Sequence, residues 1–383
     1  MENEKEPDMS KLYYLFYQRL PVRRVNTDEH LDLLNDAEIK LIRRSHLVLM
    51  MIAALLAVIG FLLFYLPTWW YPQYFPVAKA SLPFIGPITI KWGELLWCVL
   101  LSMIELYLLV LLNITGVHEI AVATGFINSE TKYEKGEDLL GVGLEKKAKD
   151  VSRYGIDPFQ GLNKWALFLF NFVLRLKGWL GNMAIRYLLR LLLGRYAVRE
   201  LLDLSGMPLY MIINALAIHT VLREARVIIM GQAIIRSLIQ RLPKSGLSDF
   251  EKELLYDTLQ YIAISKRDFH RNHFLLTKLL LEILDIPIEQ NHYLPDDYIE
   301  KLKYAPDNIR AFCQLIILLG FILDGQVSRR ERIKINSLNN AGILLESYRD
   351  VKRYSNDFLN GRGIYIWSEI YLLRINSASW VYR

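Results

Sequence analysis

The run Leu47 to Leu66, LVLMMIAALLAVIGFLLFYL, constrains this chain more than any other stretch. It carries no charge, and about twenty residues at 1.5 Å rise each match the roughly 30 Å hydrocarbon core of a bilayer. Arg43, Arg44 and His46 stand at its start, and Trp69, Trp70, Tyr71, Tyr74 and Phe75 crowd its end. Basic residues on one flank and an aromatic belt on the other mark the two interfaces of a membrane span. On an insertion scale, about a dozen Leu, Ile, Val and Phe residues contribute about −5 kcal/mol with nothing opposing them. The alternative, a buried helix of a large soluble core, fits the length and flanks less well. The run therefore reads as a transmembrane helix. Asn35 or Asp36 can cap it from Ala37, so the span is the end of a longer helix, which Pro67 is expected to stop.

A second apolar run, Leu95 to Leu112, is also long enough to span, yet it contains Glu105. A central acid costs a few kcal/mol, which the surrounding Leu residues outweigh. Between the runs, Thr68 to Gly93 carries Pro72, Pro76, Pro83, Gly86 and Pro87 and reads as a loop with at most a short strand at Ile88 to Ile90. The two runs form a helical hairpin. Lys40, Arg43 and Arg44 precede the first span, against only Lys79 and Lys91 in the loop, so the positive-inside rule places both chain ends in the cytoplasm.

Of the 383 residues 53% are hydrophobic, above an ordinary soluble chain. Mean hydropathy is only +0.19, below a polytopic transporter, which points to a few spans carrying a large soluble part. A net charge of +6 suits an anionic membrane face as readily as nucleic acid, and the spans favour the membrane, so no nucleic-acid partner is expected. Cys98 and Cys313 are too far apart in character and sequence to imply a disulfide framework. The first apolar run starts too late and is too long for a signal peptide.

The remainder reads as helical. Lys11 to Arg24 mixes Tyr, Phe and Leu with Lys and Arg, which suits either the headgroup layer or a short helix packed on the soluble part. Gly141 and Gly143 give a GxG spacing with no GKS/T after it, so a phosphate loop is disfavoured. Trp165 to Leu174 is apolar over half a bilayer's length. Beyond it, Arg186 and Arg190, then Arg195 and Arg199, are spaced by four and share a helix face. That face is either a contact for anionic lipid or simply solvated. Met207 to Val221, broken by Asn214 and His219, is too short to span and reads as a buried helix. Ser248 with Glu251, and Ser328 with Glu331, form capping boxes, and Asp307 can cap the run Ile309 to Leu323. KRDFHRNH from Lys266 and DGQVSRRE from Asp324 match weakly at an offset of about sixty residues, as a duplicated helical pair would. The tail from Tyr348 shows no clear period.

Two resemblances arise from these motifs. The stretch from about Arg186 to Gly231 joins a basic Leu-rich helix, a turn at Gly206, an apolar helix with Asn214 and the pair Ala225–Arg226; it resembles the conserved part of the EcsC family of bacterial proteins. Where that family usually has a proline, this chain has Asp203, with Pro208 after the turn. About Gly246 to Ala341 resembles the TerB-like helical domain of tellurite-resistance proteins, whose DGxVSxxE signature stands here as Asp324, Gly325, Val327, Ser328 and Glu331. That family has acidic residues in its first repeat as well, and some members are associated with calcium; here those positions hold Lys266, Arg267 and His273. The resemblance implies envelope-associated modules without a defined reaction.

Candidate chemistry is sparse. Glu105 shares a helix face with Cys98, Ser102 and Leu109, and is either a pathway residue or a neutral group hydrogen-bonded across a helix interface. His270 and His273 with Asp268 read as a solvated helix start rather than a metal site, and Asp324 with Glu331 as a turn and a cap rather than calcium ligands. His118 and Glu119 begin like a zincin motif, but no second His follows; there is no GxSxG elbow and no CxxC pair. No catalytic residue, cofactor or metal is therefore expected. The expected fold is mainly α: a two-helix transmembrane hairpin with all-helical cytoplasmic domains. It divides into an N-terminal arm (1–46), the hairpin (47–112, spans 47–66 and 95–112), an EcsC-like membrane-associated domain (113–241), a TerB-like domain (246–345) and a tail (346–383). The expected role is a scaffold or sensor at the inner membrane of a bacterium, acting in envelope stress or transport regulation. Its partners would be anionic lipid, a protein bound through the TerB-like domain and further copies of itself. The alternatives are an oligomeric channel or transporter subunit built on Glu105 and, last, a lipid-modifying enzyme.

Overall fold

A computed structural model describes residues 8–22, 34–82, 86–90, 92–128, 131–132, 135–144, 154–157, 160, 207–242, 247–267, 269–289, 292–363 and 365–376. The chain is mainly helical, and two of its helices are long and apolar enough to cross a membrane. We number the described helices α1 (Asp8–Arg19), α2 (Asp36–Trp70), α3 (Trp92–Ala123), α4 (Gly136–Gly143), α5 (Met207–Gln240), α6 (Asp249–Lys266), α7 (Arg271–Ile283), α8 (Tyr298–Tyr304), α9 (Asp307–Ile322), α10 (Arg329–Asn340), α11 (Tyr348–Leu359) and α12 (Tyr365–Asn376).

Helix α2 starts where the Asn35 side chain accepts from the Glu38 backbone N–H at 2.9 Å and the Glu38 carboxylate accepts from the Asn35 backbone N–H. It does not stop at Pro67, as the sequence led us to expect, but runs one turn further to Trp70. The missing proline N–H leaves the carbonyl of Leu63 without its helical donor, and the Trp97 indole of α3 supplies one at 3.0 Å. Pro67 therefore becomes a point of attachment between the two long helices. Between them lie a short 3-10 turn, Pro72–Tyr74, and an antiparallel hairpin pairing β1 (Ala78–Leu82) with β2 (Gly86–Ile90), so the expected strand has a partner that its prolines concealed. Helix α3 likewise continues to Ala123, beyond the expected end of the apolar run at Leu112.

The larger departure is α5. Instead of a short buried helix, Met207 opens a helix of 34 residues. It descends antiparallel to α2: Tyr210 meets Phe61, Asn214 meets Ala53, and His219 meets His46. Gly116 of α3 lets the three helices approach, because a Cβ there would sit 2.3 Å from the Leu222 side chain and 2.8 Å from that of Leu49. The outer faces are apolar and exposed, with Met51, Leu55 and Ile59 on α2, Leu100 on α3, and Ile212 and Leu216 on α5. Only one side of α5 is buried in this zone.

Past Leu222 the same helix becomes core. Val227 to Ile229, Ile234 and Ile235 are buried against the helices that follow. Ser248 with Glu251, and Ser328 with Glu331, close capping boxes at α6 and α10 as the spacing foretold. Helix α9 is central: Phe312, Ile317 and Phe321 have almost no exposed surface. The tail adds α11 and α12. Ser347 and Asp350 form a further capping box on α11, and α12 lies along α9, with Arg374 bonded to Asp307 at 2.6 Å and to Gln314 at 3.2 Å. Asp307 is thus not the N-cap expected of it; Pro306 takes that place. Helix α1 packs on α3 and α4 with Tyr13 and Tyr17 buried, which is the packed alternative for the N-terminal arm.

Candidate functional sites

Glu105 has an intramolecular partner. Its carboxylate accepts from Asn214 Nδ2 at 2.6 Å, and the same Nδ2 lies 3.4 Å from the Ala53 carbonyl. Asn214 is buried, so one amide ties all three long helices together within their apolar zone. This partner lies on α5, and no sequence pattern links positions 109 residues apart.

A second centre joins the end of α6 to the turn between α9 and α10. The Lys266 ammonium, at the end of α6, sits among five oxygens: Asp324 Oδ2 at 2.8 Å and Oδ1 at 2.9 Å, Glu331 Oε1 at 3.1 Å, and the carbonyls of Phe321 at 3.2 Å and Gln326 at 3.3 Å. Its side chain is 1% exposed. Glu331 spends its other oxygen on the Ser328 amide at 2.8 Å, so one carboxylate both caps α10 and balances the lysine. Gly325, at φ +67, makes the sharp turn between Asp324 and Gln326, and a Cβ there would meet Leu359 and Val227. Asp324, Gly325, Ser328 and Glu331 thus converge, with Val327 packed beside the core, around a cation that belongs to the chain itself.

The expected solvated start of α7 is not solvated. His273 is buried and its Nε2 lies 2.8 Å from the Gly320 carbonyl, while His270 caps the helix and reaches Glu224 at 2.8 Å. Asn272 beside them donates to the carbonyls of Val227 and Leu323, at 2.9 and 2.8 Å, fastening α7 to α5 and α9. Asp268 lies outside the described residues. Among the described residues no group of three or more His, Cys, Asp or Glu could hold a metal ion. His118 is also structural, edge-on to Tyr17 at 5.5 Å with its Nε2 3.3 Å from the Pro21 carbonyl. Gly141 and Gly143 lie within α4.

One buried cluster gave no sequence signal. His292 stacks on Tyr256 at 4.0 Å and lies between Asp257 Oδ1, 2.7 Å from Nε2, and Glu289 Oε2, 2.8 Å from Nδ1. Burial acts to lower its pKa, but the hydrogen bonds to Asp257 and Glu289 outweigh it and hold the pKa above the usual histidine value. Tyr256 and Asp257 are on α6, whereas Glu289 and His292 come after α7, with His292 in an isolated bridge to Ile156, so only the folded chain assembles them. Arg186, Arg190, Arg195, Arg199 and Gly206 lie outside the described residues. Asn214, Ala225 and Arg226 are all on α5; the first two are buried, and Arg226 is half-buried.

No family model matches this chain, and neither does any curated protein or solved structure.

Proposed function

We propose that this chain is a membrane-anchored, non-enzymatic scaffold or sensor, working at the cytoplasmic face of a bacterial inner membrane in envelope stress or transport regulation. The observation that carries the reading is the continuity of α5. One helix joins the Glu105–Asn214 bond in the apolar zone to the Asn272 and Arg223 contacts of the helical bundle, the latter at 3.1 Å to the Gly325 carbonyl. Such a helix couples what happens among the lipids to the shape of the bundle. The exposed apolar flanks of α2, α3 and the first half of α5 give a lipid-facing belt, and the bundle offers a surface for a protein partner. On this reading α5 adds a third membrane-embedded helix to the hairpin, the Ala225–Arg226 pair belongs to an EcsC-like segment, and the DGQVSRRE turn belongs to a TerB-like domain.

Glu105 separates this reading from an oligomeric channel or transporter subunit. As a structural group it binds Asn214, and Glu105→Gln keeps a polar partner in place. Reconstituted wild-type and Glu105→Gln proteins are expected to show no ion or proton flux and the same oligomer size, whereas Glu105→Leu loosens the three helices by about 1 kcal/mol. Flux in the wild type that Gln abolishes at unchanged oligomer size would replace the scaffold with the channel.

A further inference from the structure

Four basic side chains meet where α2 and α5 leave the apolar zone. Arg43 and His46 are three apart on α2, and His219 and Arg226 seven apart on α5, so each pair lies on one helix face. His46 Nε2 and His219 Nδ1 are 3.0 Å apart, with ring centroids at 4.9 Å. Arg226 is close enough to feel the charge of Arg43, which after burial is the second cause holding its pKa down. Its Nε and Nη2 are buried and have no hydrogen-bond partner. Those two atoms form the edge of a guanidinium that grips an oxyanion with two parallel bonds. The nearby acids are committed elsewhere: Glu224 to His270 and Glu38 to the start of its own helix. The two guanidinium charges have no acidic partner among the described residues, and like charges gathered so cost stability unless an anion completes them.

We propose that Arg43, His46, His219 and Arg226 bind a phosphate group, with the Nε–Nη2 edge of Arg226 holding two of its oxygens and Arg43 and the imidazoles the rest. The site rests on the membrane reading above. It lies one residue before the uncharged run that starts at Leu47, at the depth of lipid headgroups, so a phosphodiester of an anionic lipid reaches it directly. The same chemistry would accept free phosphate.

The test uses the full chain in neutral detergent and native mass spectrometry with added phosphatidylglycerol or phosphatidylcholine. The wild type should retain one phosphatidylglycerol in preference to phosphatidylcholine, and Arg43→Gln or Arg226→Gln should weaken retention roughly five-fold each. Arg44→Gln, on an exposed residue outside the cluster, should change nothing. Arg43 is exposed, so its variant keeps the fold even if Arg226→Gln does not, and thermal melting of each variant separates the cases. Millimolar inorganic phosphate that displaces the lipid assigns the site to free phosphate; lipid retained against it assigns the headgroup. Equal retention of both lipids, or folded Arg43→Gln that binds like wild type, overturns the site. Failure of the membrane reading looks different: the protein would then leave the membrane fraction in an alkaline wash.

Discussion

Lys266 is the residue whose removal should be felt most. Taking the ammonium away leaves Asp324 and Glu331 facing each other with only a turn between them, and breaking a buried pair from one side costs about 3–5 kcal/mol. Lys266→Met should therefore lower the denaturation midpoint sharply, and adding Asp324→Asn should recover part of the loss. An unchanged midpoint for the single variant would mean that the carboxylates find water as readily as the lysine. His292 provides a test by pH. Because its folded pKa is raised, its stabilising contribution is full below about 6.5, the unfolded value, and fades as pH rises through the folded value. The destabilisation caused by His292→Asn should be larger at pH 6 than at pH 8. The opposite trend in urea melts would show that the imidazole is buried neutral.

At the scale of elements, the crossing of α2, α3 and α5 depends on the absence of a side chain at Gly116. Overfilling a close-packed site typically costs about 1–3 kcal/mol, and Leu at this position has neither Leu49 nor Leu222 free to yield, since both are buried. Gly116→Leu should speed hydrogen exchange in the middle of α5 while sparing α9 and α12. The capped helices α6 and α10 were legible in the sequence because Ser-x-x-Glu is a local signal. Ser347 and Asp350 make a Ser-x-x-Asp version of that signal, in a tail whose alternating Ile, Tyr and Trp obscure its period. The length of α5 was hidden for a different reason. Arg223, Glu224 and Arg226 interrupt its hydropathy where the surroundings change, although no residue there breaks a helix. Of the candidate sites, Glu105 and the DGQVSRRE turn could be picked out as unusual, but their partners Asn214 and Lys266 come from other helices and are fixed only by tertiary packing. Histidine and arginine at positions 219 and 226 did carry a seven-residue spacing, which becomes informative only once α5 is known to be continuous.

For the whole molecule, the arrangement predicts which surfaces reagents can reach. With the bundle in the cytoplasm, a cysteine engineered near Trp70 should label in intact spheroplasts, and one at Ser248 only after lysis; the reverse pattern would invert the topology. A cysteine at Met207 should behave like the one near Trp70, because Met207 packs beside the Phe61–Tyr210 contact at the same end of α2. There is also a mechanical consequence of a single unbroken α5. At 1.5 Å per residue it is a rod of about 50 Å, and the tight crossing at Gly116 and Leu222 sits near its middle, like a fulcrum. A bilayer that thins or thickens changes the tilt its embedded helices prefer. Tilting this rod by about 5° around that point moves its far end by about 2 Å, enough to strain hydrogen bonds of ordinary length. That far end leads into Arg241, which pairs with Glu369 of α12, the helix that lies along α9. Membrane thickness would then be read out as how closely the last helix of the chain sits on the centre of the bundle.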